Sequence, residues 1–205
     1  MTQTAPIPPP PGSRHAPATL RNRDAILAVL RQVLPQQGLV LEVASGSGEH
    51  CAFLSQALPA LRFQPSDPDA EARASTDAWC AGLTNVAPAL ALDCTAPWPA
   101  LKAQAVLCIN MVHISPWAAT LGLLAGAAAT LPPGAPLYLY GPYRQQGVPF
   151  AESNAAFDAS LRARDPAWGI RQLEEVSAAA SAAGFGPPEV TPMPANNLSV
   201  VFRRG

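Results

Sequence analysis

The sequence predicts an α/β fold: a mostly parallel sheet of seven strands with helices between them and an antiparallel hairpin at its carboxyl end. Three observations predict it. Short apolar runs alternate with stretches of helical periodicity between Arg21 and Ala183, the order that lays a parallel sheet between helical layers. The first apolar run breaks at Ser45-Gly46-Ser47-Gly48 and passes directly into a helix-like stretch, a strand–turn–helix corner. The last two β runs, over 189–193 and 198–202, flank Pro194-Ala195-Asn196-Asn197 and read as a hairpin at one sheet edge.

Each element has its own signal. Residues 1–17 are proline-rich and carry almost no core material, which predicts an extended or disordered tail ahead of a domain over 18–205. A helix over 21–34 places Ile26, Leu27, Leu30, Val33 and Leu34 on one face, with Asn22 or Thr19 as its cap and Pro35 as its stop. The first strand, over 39–43, is apolar except for Glu42, an anomaly in a buried parallel strand. A helix over 49–58 follows, then a strand over 61–64 and a helix over 68–83 that Asp67 would cap. Residues 89–92 read as a third strand ending in Asp93-Cys94, and 103–109 as a fourth opening into Asn110 and His113. Ser115 and Pro116 look like the cap and first position of an alanine- and leucine-rich buried helix to Leu131. A fifth strand over 137–140 leads to Gly141-Pro142-Tyr143-Arg144. The long excursion over 145–171 holds a helix over 153–162 capped by Ser153, and a last helix over 172–183 is closed by Gly184.

The chain has 205 residues, a size that suits one core. A formal net charge of −1 gives no broad footprint for nucleic acid. Arg14, Arg21 and Arg23 form a local basic cluster, readable as a solvated face or as anion recognition near a site. The four cysteines are far apart, with no Cys-x-x-Cys and no Cys/His pair at zinc spacing, so no metal site is expected and reduced thiols in a cytoplasmic protein are. No basic segment followed by an apolar core marks a signal peptide, and no stretch reaches the roughly 20 apolar residues of a membrane span.

Glycines at 46 and 48 let the backbone turn and approach a ligand with no Cβ in the way. The dinucleotide fingerprint would need a third glycine where Cys51 stands, which disfavours a nicotinamide cofactor. The stretch Glu42-x-Ala44-x-Gly46-x-Gly48 instead resembles the first motif of class I S-adenosylmethionine (SAM) methyltransferases, with Ala44 in place of the first glycine. That resemblance implies a SAM cradle from Glu42, Ala44, Ser45, Gly46, Ser47, Gly48 and His50, the acid ordering the loop. Asp67 falls about 20 residues past the loop, the offset at which an acid grips a ribose in such sheets, though a helix cap is the other reading. Asp93, with Cys94 and Asn110 on the same side, resembles the acid that accepts a hydrogen bond from the adenine amino group; a turn residue is the alternative.

The match is closer than class level. Segments over 41–50, 64–67, 109–117, 140–143 and 153–154, with those around 168–171 and 196–198, occur in an order that resembles an uncharacterised family including methyltransferase-like protein 26. The resemblance spans about Ala16 to Arg203 and implies a three-layer, Rossmann-like class I methyltransferase fold that binds SAM. It brings no established substrate. His113, at the mouth of a central strand, is either the general base or a residue that caps a helix or packs against Trp117. Tyr143 either positions a substrate or shapes the pocket. Asn22, Asn154, Arg171 and Asn197 belong to the substrate side or to structural hydrogen bonds. No Asn-Pro-Pro-Tyr motif is present, which disfavours nucleobase amines and glutamine amides as acceptors. The expected function is methyl transfer to a small molecule. The alternatives are a SAM-binding module without transferase activity and, behind it, a nicotinamide-dependent oxidoreductase.

Overall fold

In a computed structural model that describes residues 9–205, the elements run α1 (Pro17–Val33), β1 (Gly38–Val43), α2 (Glu49–Ala57), β2 (Leu61–Ser66), α3 (Ala70–Trp79), β3 (Ala105–Ile109) and α4 (Trp117–Thr130). Then come β4 (Pro136–Gly141), α5 (Glu152–Arg164), α6 (Leu173–Ala182), β5 (Glu189–Met193) and β6 (Asn197–Arg203). The sheet order is β2-β1-β3-β4-β6-β5. The first four are parallel neighbours; β6 pairs antiparallel with both β4 and β5.

Strand alternation sorts the core into two layers. Leu41 and Val43, Val106 and Cys108, and Leu137 and Leu139 face the layer that holds Leu123 of α4 and Val176 of α6. Val40, Leu107, Ile109, Tyr138 and Tyr140 face the other, with Ile26 and Leu30 of α1 and Leu54 of α2. Side chains of period two put each set on its own face. The layered parallel sheet and its terminal hairpin are therefore as the sequence predicts.

The sheet has six strands, not seven. The segment expected as a strand over 89–92 makes only isolated bridges to β2, Phe63 with Val86 and Ser66 with Leu90. Between these bridges lies Pro88, which has no N–H to donate to a ladder. The Gln64 amide caps the gap by donating to Pro88 O (2.8 Å) and Pro65 O (3.0 Å). The segment still lies along β2, so Asp93 and Cys94 reach the same end of the sheet as the strands.

Helix starts also differ from expectation. α1 begins at Pro17, and Thr19 and Asn22 are buried within it rather than capping it. Asp69, not Asp67, caps α3 by accepting from Glu71 N–H (3.1 Å). Pro116 stands at the cap of α4, and Ser115 Oγ donates instead to Met111 Sδ (3.0 Å). Ala151 precedes α5, with Ser153 inside its first turn.

Of the proline-rich stretch, residues 1–8 and the disorder expected there lie outside the described residues. Its end is fastened to α3: Arg14 N–H donates to Ser75 Oγ (2.8 Å), its guanidinium pairs with Asp69 (2.8 Å) and Glu71 (2.6 Å), and Trp79 Nε1 donates to Arg14 O (2.9 Å). Among the described residues, no helix is long and apolar enough to cross a membrane.

Candidate functional site

Strand β1 has β2 on one side and β3 on the other, so the chain's connections reverse there. In open α/β sheets that reversal leaves a crevice beyond the carboxyl ends of the strands, where ligands bind. Two cavities open along it. One, of about 460 Å³, is lined by Ala44 and Gly46 after β1, Asp67 after β2, Asp93 and Cys94 of the edge segment, and Ile109, Met111 and Ile114 around the end of β3. The other, of about 680 Å³, is lined by Arg21 and Asn22 of α1, Asn110, His113 and Ile114, Tyr140 of β4, Asn154 and Phe157 of α5, and Asn197. Ile114 belongs to both.

The first cavity is built from the loop. Its backbone runs through left-handed angles at Ala44 (φ +58°), Gly46 (+59°) and Gly48 (+89°). A Cβ added to Gly46 would meet nothing within 4 Å, whereas one on Gly48 would stand 2.4 Å from Thr76 Cα. Gly46 thus faces the cavity. Gly48, expected against the ligand, instead lets the loop close on α3. Ser45 and Ser47 also work from behind: Ser45 N–H donates to Ser66 O (2.9 Å), and Ser75 Oγ donates to Ser47 O (2.7 Å).

Asp67 accepts from Gly46 N–H and from Asp69 N–H, both at 3.0 Å, so the acid holds the loop while each of its oxygens keeps a further lone pair. Asp93 Oδ1 accepts from Thr95 N–H and Thr95 Oγ1 at 2.8 Å, which holds it below the ordinary carboxylate range. Burial, then the Asp93 and Asp67 charges, push the Cys94 thiol up to about 12. Beneath the loop, Glu42 is 2% exposed and Oε2 has no hydrogen-bond partner among the described residues. Burial pushes its carboxyl up to about 7 against the hydrogen bonds of Ser45 and Cys51.

His113 enters the second cavity. It is 4% exposed, with its ring edge-on to Phe157 at 5.6 Å. Burial, then the Arg171 charge, hold it down at about 4, so the imidazole is neutral at pH 7. Asn110 turns out of β3 at φ +65°, a conformation asparagine tolerates, and lines this cavity rather than the first one. Asn154 Nδ2 donates to Asn196 O (3.0 Å), which ties α5 to the hairpin turn, and Asn197 Nδ2 donates to Pro194 O (3.0 Å) within that turn.

Beside Glu42, Ser45, Ser47 and Gly48 beneath or behind the loop, three more expected site residues lie outside both cavities. His50 is buried with Nε2 2.8 Å from Asn22 Oδ1, bracing α2 on α1 and fixing Asn22. Tyr143 packs into the α4–α6 layer, where its hydroxyl has no hydrogen-bond partner among the described residues. Arg171 donates to Ser115 O (2.7 Å) and Ala167 O (2.8 Å), clamping the loop that bears His113 instead of facing a substrate. Tyr140 and Phe157 went unread in the sequence. Phe157 shares a helix face with Asn154 three residues before it, a spacing that could have found it.

Residues 13–204 match the family described as protein of unknown function DUF938. The chain belongs to that family. The DUF938 chain is also similar in structure to three solved methyltransferases. A methyltransferase of calicheamicin biosynthesis, bound to S-adenosylhomocysteine (SAH), is 18% identical with a TM-score of 0.73, covering 92% of this chain and 55% of that one. An O-methyltransferase family 2 protein from Planctomyces limnophilus, in complex with apigenin, is 18% identical with a TM-score of 0.77 over 92% and 58%. Human N-acetylserotonin methyltransferase, in complex with SAM, is 15% identical with a TM-score of 0.71 over 89% and 55%. The DUF938 chain spans a little over half the length of these proteins. The likeness gives it the class I methyltransferase-like fold.

Proposed function

We propose that the protein is a SAM-dependent methyltransferase acting on a small molecule. The observation that carries this reading is the pair of cavities meeting at Ile114, one walled by the glycine loop and carboxylates, the other by a buried neutral imidazole and amides. Open space beside Gly46, free lone pairs on Asp67 and Asp93, and the unpartnered Glu42 Oε2 beneath the loop fit a polar, cationic ligand. Asp67 would hold ribose hydroxyls, Asp93 and Cys94 the base, and Ala44–Gly46 the amino-acid end. When bound, SAM supplies a methyl group on a sulfonium, transferable to an acceptor lone pair while the S–C electron pair stays on sulfur. His113 would take the acceptor's hydroxyl proton at an imidazole nitrogen, with Asn110 orienting the oxygen. The resemblance to methyltransferase-like protein 26 agrees with this reading and names no acceptor.

Thermal melts test the cofactor. At about 100-fold above its dissociation constant, a ligand contributes roughly 2.7 kcal/mol, and for this size about 2–4 °C follow per kcal/mol. SAM and SAH should shift the melt and NAD should not; a shift with NAD alone overturns the reading. Clear SAM binding without turnover across phenols, thiols and amines supports the binding module instead, a reading that the removal of Tyr143 from the site also favours.

A further inference from the structure

The arginines at 14, 21 and 23, adjacent in sequence, have separate fates. Arg14 is spent on Asp69 and Glu71. Arg23 lies over the Phe53 ring at 4.7 Å. Arg21 alone of the three lines the 680 Å³ cavity, and among the described residues it makes no ion pair. Among the described residues no acidic side chain lines that cavity, and its other polar groups are uncharged amides, the Tyr140 and Ser153 hydroxyls and the neutral His113. A single guanidinium at the mouth of an otherwise apolar and amide-lined pocket sets a positive field that low-dielectric walls concentrate. Phe157, 40% exposed for so large an apolar side chain, and the His113 ring it meets edge-on offer an aromatic wall to a planar ligand.

Resting on the reading above, we infer that the acceptor is an anionic hydroxylated aromatic, its carboxylate on Arg21 and its hydroxyl at His113. A carboxylate matches the guanidinium fork with one charge against one, whereas a doubly charged phosphate would leave charge unmatched, and an ammonium would meet Arg21 with no acid to hold it. The pocket therefore selects its acceptor by charge at one end and by a removable proton at the other.

The test is calorimetry at low salt, with and without saturating SAH, using 4-hydroxybenzoate, its neutral methyl ester and tyramine as probes. The acid should bind about five- to tenfold more tightly than the ester, and tyramine most weakly. Arg21→Gln should erase the acid's advantage, and Arg21→Glu should turn it into a disadvantage. Arg21 is exposed, so both variants should melt like the parent, and the SAH-induced shift should persist in both. Equal binding of acid and ester, no binding of the acid at millimolar concentration, or an unchanged advantage in Arg21→Gln overturns the inference. Because the charge preference is read with and without SAH, a missing SAH shift defeats the cofactor reading separately.

Discussion

The cavity against the glycine loop carries Asp67 and Asp93 and no basic side chain, whereas its neighbour carries Arg21 and His113 and no acidic one. They share Ile114 as a wall, so opposite polarity is held within one crevice without an ion pair bridging the two halves. The first is made by strand ends and one tight loop, whose positions follow from the β1–β2 register, Glu42 opposite Pro65 and Val43 opposite Ser66. The second is assembled from α1, α5, β4 and the hairpin turn, segments far apart in the chain. A cavity set by backbone connectivity can hold a fixed cofactor. One set by helices packed from elsewhere is where the acceptor can be chosen.

The largest expected effect separates the two. His113→Ala should lower turnover by about 10²–10⁴-fold, the usual scale for a general base, while leaving the SAM-induced melting shift intact. Since burial holds the imidazole at about 4, the wild-type rate should keep its full value down to about pH 5 instead of falling through the ordinary 6.5. Unchanged turnover in folded His113→Ala, or an acid limb near 6.5, would remove His113 from the chemistry.

How far each half was legible follows the same division. The place of Asp67 beside the loop follows from spacing, because the loop and the ends of two paired strands leave it one place to go. Its cap role failed because Asp69, two residues on, sits nearer the first free N–H groups of α3. Gly48 was misassigned because sequence says only that a Cβ is excluded, not whether ligand or the α3 backbone excludes it. Tyr143 reads as a site residue only by its proximity to a strand end. β4 ends at Gly141, and the chain then carries Tyr143 into the opposite layer. For Arg171 the structural reading fits, but its partners are not legible, because carbonyl acceptors leave no mark in a sequence.

An intermediate effect concerns the ionisable groups behind the two cavities, whose signs oppose. His50 and His113 are held at about 4 against an ordinary 6.5, so the unfolded chain gains protons that the fold refuses, and stability falls as pH drops from 6.5 toward 4. Glu42 is raised to about 7 from 4.5; its folded form keeps a proton, and that stability is lost as pH rises from 4.5 to 7. One term partly offsets two. Glu42→Gln should remove the offset: near pH 7.5 the variant should be more stable by about 1–3 kcal/mol, with the advantage gone by pH 4.5 and a steeper acid slope below 6.5. Melting midpoints across pH 4.5–7.5 measure it, and parallel curves for the two proteins would refute the assignment.

The smallest effect tests the wall of the glycine-loop cavity itself. Ala44 holds φ +58° where the methyltransferase motif has glycine, a left-handed conformation that costs an L-residue roughly 1–2 kcal/mol. Glycine would relieve that strain but lose about 0.5–1 kcal/mol in backbone entropy, so Ala44→Gly should gain at most about 1.5 kcal/mol. For a chain this size the melting midpoint should rise by about 1–3 °C. The SAM-induced shift should stay the same or grow slightly, since only a methyl group leaves the cavity wall. A lower midpoint would mean that the Ala44 methyl, packed against the α4–α6 layer, stabilises the loop by more than its backbone angle costs. The alanine would then be a packing solution of this chain, and the departure from the glycine motif would owe nothing to a weakened ligand site.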